Sequence, residues 1–185
     1  DHGDEGLMST IDTLKKAEIA YVGAGKNIAD ARKPYLTTIN GIKTGIYACA
    51  EHEYSIAGNT TPGANPFDPL FSLDDISILK EQCEFVIVLF HGGTELYRYP
   101  TPRLQKVCRR IIDKGADLVL VQHTHCIGAA EEYKEGTIIY GQGNFIFDYN
   151  INNINNTGIL VKLRLTRSET TISYDCRYIP IIYES

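Results

Sequence analysis

Two apolar runs, each rich in β-branched residues and each ending in histidine, constrain this chain more than anything else in it. Phe85-Val86-Ile87-Val88-Leu89-Phe90 stops at His91-Gly92-Gly93, and Leu118-Val119-Leu120-Val121-Gln122 stops at His123-Thr124-His125. Between them lies one amphipathic helix. Thr101 caps it, Pro102 occupies its first turn, and Leu104, Val107, Cys108, Ile111 and Ile112 form an i, i+3, i+4, i+7, i+8 stripe that Gly115 ends. Strand, helix and strand together read as a β-α-β unit with parallel strands. Such a crossover brings both carboxyl ends to one edge of the sheet, the edge at which open α/β sheets place ligands. Two such strands lie about 4.8 Å apart if adjacent, or about twice that with one strand between. Three of the five histidines are therefore predicted to converge within reach of one or two metal ions.

The rest of the chain supports a mixed sheet. Leu7, Ile11, Leu14 and Ile19 stand at helical spacing across residues 6–18, and residues 20–25 read as a short strand entering a glycine turn. Asn40-Gly41 between Leu36–Ile39 and Ile42–Cys49 is a hairpin signal, because both turn positions of the favoured type need positive φ. From Glu51 to Leu70 the composition turns to Gly, Asn, Pro and Thr, predicting a long loop near the site edge that could serve as a substrate lid. Ser72 with Asp75 reads as a capping-box-like start for a helix reaching Gln82. Thr137–Tyr140 is a short strand entering Gly141-Gln142-Gly143-Asn144, and Asn150–Asn156 is a connector. Val161, Leu163 and Leu165 alternate with polar residues, and the chain returns through Thr171–Tyr183 as antiparallel β. One α/β domain over residues 1–185 is predicted.

A net charge of -5 argues against nucleic acid as a partner. No stretch approaches the roughly 18 apolar residues that span a bilayer, so membrane association would need an anchor outside these residues. The five cysteines (Cys49, Cys83, Cys108, Cys126, Cys176) are odd in number, scattered, and without a CxxC pair. That usage fits a reducing compartment, and a cytoplasmic location is the expectation.

His123-x-His125 just past a buried strand, with His91 at the equivalent point of the other, predicts metal ligation by all three. Neutral imidazole suits zinc, manganese or iron and leaves positions open for water and substrate. Glu95 reads either as a carboxylate orienting a histidine or as a solvated loop acid. Arg98 is a clamp for a phosphate or carboxylate, or a surface ion-pair partner. Asn144 lines the pocket or caps its turn. His52 faces the same edge and touches substrate, or is an exposed loop histidine. Cys126 is a thiol beside the metal or a packing residue. His2 has no assignable place.

The string from His91-Gly92-Gly93-x-Glu95, through Gly115-Ala116-Asp117-Leu118-Val119 and His123-x-His125, to Ile139-Tyr140-Gly141-Gln142-Gly143-Asn144-Phe145-Ile146-Phe147-Asp148 resembles the bacterial capsule synthesis (CapA-type, poly-γ-glutamate biosynthesis) family. Asp1-x-Gly3, Gly6-Leu7, Thr13-Leu14 and Gly23-Ala24-Gly25 resemble the segment that follows that family's Asn-Asn-His motif. The resemblance implies a metallophosphatase-like αββα sandwich of mixed sheets flanked by helices. It implies a binuclear centre of divalent ions, manganese, zinc or iron, with His91 and His123 on one ion and His125 on the other. It also implies further ligands from an N-terminal Asp-bearing strand, a Gly-Asp motif and an Asn-His pair. None of these stands in the present residues, so the expectation is a chain without its N-terminal strands and with half of a binuclear site.

Two functions follow from this reading. One is a metal-dependent, phosphoesterase-like hydrolase with an anionic small-molecule or polymer substrate, contacted by Glu95, Arg98, His52 and Asn144. The other is a non-catalytic accessory that binds an anionic polymer in capsule or poly-γ-glutamate assembly or export. No residue is assigned to proton transfer in either.

Overall fold

The computed structural model describes residues 2–51, 55–145 and 156–182. In chain order the elements are α1 (Gly3–Lys16), β1 (Ala24–Gly25), α2 (Ile28–Ala31), β2 (Tyr35–Ile39), β3 (Ile42–Ala50), β4 (Gly63–Ala64), α3 (Ser72–Gln82), β5 (Phe85–His91), α4 (Pro102–Asp113), β6 (Leu118–Gln122), β7 (Ala130–Tyr133), β8 (Gly136–Ile139), β9 (Thr157–Arg167) and β10 (Ile172–Ile182). The main sheet has six strands in the order β2-β3-β5-β6-β8-β7. Its four central strands are parallel, and β2 and β7 close the two edges antiparallel. β9 and β10 form a separate antiparallel pair, as do β1 and β4.

The two faces of the sheet are buried differently. Val86, Val88 and Phe90 of β5 and Val119 and Val121 of β6 pack against Ile76 and Leu79 of α3 and Leu104, Cys108 and Ile111 of α4. The alternate residues Phe85 and Ile87 of β5 and Leu118 of β6 pack against Ile159, Val161, Leu163 and Leu165 of β9 and Ile172 and Tyr174 of β10. A helix layer, a mixed sheet and a second sheet therefore stack in that order, matching the expected mixed α/β architecture. Covering on both faces is why β5 and β6 are apolar at nearly every position instead of at alternate ones. Burying each large side chain contributes about 1.5–3 kcal/mol, so the strands that carry the histidines are the firmest part of the scaffold.

Local chemistry sets the joints. Asn40 and Gly41 take φ of 50° and 76°, the two left-handed positions that the Asn-Gly hairpin requires. Thr101 caps α4 by accepting from the Leu104 amide at 3.2 Å, with Pro102 beginning the helix. The capping box expected at Ser72 and Asp75 does not form. Phe71 is the N-cap of α3, and the Ser72 hydroxyl instead accepts from the Asp68 amide at 3.0 Å. The Asp75 carboxylate takes a two-pronged bond from Arg32, at 2.8 and 2.9 Å. A guanidinium fork matched to a carboxylate is stronger than a neutral cap, and it ties α3 to the residue after α2. The strand expected over residues 20–25 is reduced to the two residues of β1. Of the expected loop, described residues 55–70 lie mostly outside regular elements, with β4 inside them, and residues 52–54 lie outside the described residues. Most of the Asn150–Asn156 connector lies outside the described residues.

Candidate metal centre

β5 and β6 are adjacent and parallel, with His91 opposite Gln122, so both histidine segments leave the sheet side by side. The His91 and His123 rings lie 4.9 Å apart between centroids, and those of His123 and His125 lie 6.1 Å apart. The three histidines singled out by sequence thus form one cluster with His123 at its centre. The loop after β5 adds a carboxylate. Donor atoms of Glu95, His123 and His125 all lie within 4.8 Å of one another. Ligand atoms about 2.1 Å from one ion stand about 3.4 Å apart at tetrahedral angles and about 4.2 Å apart when opposite. The cluster therefore needs at most a small contraction to close on an ion, and Glu95, which is exposed, has room to move.

The histidine loop is held in a conformation that few side chains adopt. His123 and His125 have φ of 99° and 53°, a region costing of order 1–3 kcal/mol for a residue with a Cβ. The surroundings fix it. Between them Thr124 is buried, its hydroxyl bonded to the Cys126 carbonyl at 3.2 Å, and its own carbonyl accepts from the Leu96 amide at 2.8 Å. The Gly143 amide donates to the Cys126 carbonyl, and the Gly128 amide to that of Gly141. This second loop must come close. A Cβ at Gly141 would stand 2.6 Å from the Cys126 oxygen, and one at Gly143 would stand 2.3 Å from the Thr157 oxygen.

Asn144 is buried, and its Oδ1 faces His125 Nδ1 at 2.8 Å. Because the amide oxygen can only accept, Nδ1 carries the proton and donates it, and Nε2 is the ring nitrogen that would ligate an ion. That is the arrangement by which an acceptor fixes the tautomer of a ligating histidine. Asn144, expected to line the pocket or cap a turn, thus contacts a histidine. Arg98 is exposed, and its carbonyl accepts from the Ala129 amide. Its side chain makes no ion pair among the described residues. His52 lies outside the described residues. Cys126 is fully buried, and burial pushes its thiol up while Thr124 and Arg98 act the other way. That is the character of a packing residue.

Glu51 was not singled out by sequence. It directly follows β3, its amide donates to the His91 carbonyl at 2.8 Å, and its carboxylate accepts from the Gly93 amide at 3.2 Å and pairs with Arg103. The reasoning that picked out His91 at a strand's carboxyl end applies equally to Glu51, one residue past Ala50. Gln122 and Gln142, joined at 2.7 Å, complete this edge.

Comparison with known proteins bears on the same residues. The model of the family described as bacterial capsule synthesis protein PGA_cap matches residues 1–149. The chain belongs to this family. The capsule synthesis match takes in every histidine, Glu95 and Asn144. The chain is 32% identical over 154 residues to a capsule biosynthesis protein, CapA, of Bacillus anthracis, covering 80% of this chain and 38% of that protein. To a PGA biosynthesis protein, CapA, of Bacillus subtilis (strain 168) it is 31% identical over 151 residues, covering 80% and 40%. To a probable polyglutamine synthesis accessory protein of Mycobacterium tuberculosis it is 29% identical over 162 residues, covering 80% and 43%. The matched region thus spans less than half the length of these capsule synthesis relatives. No described helix is long and apolar enough to cross a membrane.

Proposed function

We propose that this chain carries the metal-binding part of a metal-dependent, phosphoesterase-like hydrolase of capsule or poly-γ-glutamate biosynthesis. The observation that carries the reading is the convergence of Glu95, His123 and His125 within 4.8 Å, with His91 beside His123. Two imidazoles and a carboxylate form a donor set suited to zinc, manganese or iron. A divalent ion held there supplies Lewis acidity toward a phosphoryl oxygen and acidifies a water toward neutral pH. The chain's own residues do the rest. Asn144 aims His125, Glu95 brings negative charge to the cluster, and exposed Arg98 offers a fork for an anionic group of the substrate.

Metal content of the purified chain, measured by plasma mass spectrometry beside a His123→Ala/His125→Ala variant, tests the binding step. Bound transition metal that the double variant loses is the expected result. No metal after soaking in manganese or zinc would sink the proposal. A phosphoesterase screen on the loaded protein tests the chemistry. The second reading, a non-catalytic accessory binding an anionic polymer, is favoured by the likeness to the mycobacterial protein, a probable polyglutamine synthesis accessory protein. Loaded protein that binds polyglutamate but turns over no phosphoester would select it.

A further inference from the structure

Glu51 stands at the carboxyl end of β3, next to β5, and reaches both ends of the segment that presents His91 and Glu95. Its amide holds the His91 carbonyl at 2.8 Å, and its Oε2 accepts from the Gly93 amide at 3.2 Å. Its Oε1 pairs with Arg103 in the first turn of α4. The loop from Gly92 to Thr101 is thus tied at its start by a backbone bond and at its end by an ion pair, both to one carboxylate. The fit is close. Gly92 is buried, and a Cβ there would meet Glu51 Oε2 at 2.7 Å. Gly93 has φ of 108°, so the chain turns sharply where the carboxylate grips it. The middle of the loop is pinned separately, by the Leu96 amide on the Thr124 carbonyl and the Ala129 amide on the Arg98 carbonyl. Glu95 lies between the Gly93 grip and the Leu96 pin, and its position relative to His123 and His125 follows from the two together.

We infer that Glu51 is a positioning residue for the metal centre: by holding the Gly93 amide it places His91 and Glu95 beside His123 and His125. The inference rests on the metal-binding reading above. Glu51 touches no proposed ligand donor atom through its carboxylate, so its role is to hold backbone. The side chain is mostly buried at 18% exposure, whereas Arg103 is 68% exposed. The backbone bond is part-buried and the ion pair is exposed, so the backbone bond is the more effective of the two ties, because exposed ion pairs contribute little.

The variants Glu51→Gln, Glu51→Ala and Arg103→Ala separate the parts. Gln keeps an acceptor for Gly93 and loses the charge for Arg103, Ala loses both, and Arg103→Ala loses the ion pair alone. Zinc affinity of the intact chain, read by calorimetry, is expected to fall about 10- to 100-fold in Glu51→Ala, the range for residues that orient ligands. It is expected to stay within about threefold of the parent in the other two. Cobalt substituted for zinc should give a changed visible absorption in Glu51→Ala alone. Parental zinc affinity and cobalt spectrum in Glu51→Ala would overturn the inference, including where that variant is merely less stable to heat. If the parent binds no metal, the metal reading fails by itself, and hydrogen exchange at the Gly93 amide still decides the positioning. Exchange at least tenfold faster in Glu51→Ala than in Glu51→Gln supports it, and equal exchange overturns it.

Discussion

Replacing Asn144 with alanine isolates what a single amide does for the histidine cluster. Asn144 is 6% exposed, and its Oδ1 lies 2.8 Å from His125 Nδ1. Truncating one partner of a largely buried hydrogen bond costs about 1–3 kcal/mol. At about 1.4 kcal/mol per decade, that is about 5- to 150-fold in an equilibrium that depends on the ring's orientation. Metal affinity is such an equilibrium, since an ion at Nε2 requires the proton to stay on Nδ1. The backbone of Asn144 is anchored separately, its amide donating to the Thr157 carbonyl at 3.1 Å, and the substitution leaves that bond in place. The metal-free chain should therefore lose no more than about 1–3 kcal/mol of stability. Zinc calorimetry gives the affinity, urea unfolding of the metal-free protein gives the stability, and the nitrogen shifts of His125 report its tautomer. Affinity within twofold of the parent, with the His125 proton still on Nδ1, would refute the argument that Asn144 sets the ring.

Other expectations follow from packing and charge. Gly158→Ala puts a Cβ 2.1 Å from the Asn144 oxygen, whereas a Cβ at Gly41 meets nothing within 4 Å. Urea unfolding should therefore show a loss of about 3 kcal/mol or more at Gly158 and only about 1–2 kcal/mol, from the positive φ, at Gly41. Burial pushes the Glu131 carboxyl up, but hydrogen bonds from Tyr140 and Arg109 outweigh it and hold the group below its usual range. Its contribution to stability is present above the ordinary glutamate value of about 4.3 and is lost as pH falls through the lower folded value. Glu131→Gln should accordingly flatten the acid side of a stability-versus-pH curve below about pH 4.5, and an unchanged slope would count against the pairing. Burial raises the thiols of Cys49 and Cys108 far above their usual range. Native-state labelling should modify the less buried Cys176 first, and early labelling of Cys49 or Cys108 would contradict the core described here.

Much of the scaffold was legible in the sequence because it depends on neighbours along the chain. Val86, Val88 and Phe90 alternate with Phe85, Ile87 and Leu89, and that continuous apolarity already demanded cover on both faces. Asn40-Gly41 carried its own turn, and Thr101-Pro102 its own helix start. His91, His123 and His125 were placed on one edge by the crossover rule, without knowledge of any contact. What escaped was partner choice over long separations. Asp75 stands three residues after Ser72, yet its carboxylate is taken by Arg32, 43 residues away. Glu51 meets Gly93 across 42 residues, and Asn144 meets His125 across 19. Glu95 joined the imidazoles only once the Leu96 amide was bonded to Thr124. A polar side chain takes the partner that packing brings within about 3 Å at a good angle, and that proximity is a property of the closed sheet and its loops. Sequence by itself determined which strands carry imidazoles to which edge. Tertiary structure alone decided which carboxylate and which amide meet them there, because local periodicity says where a backbone goes but not which distant side chain will be waiting.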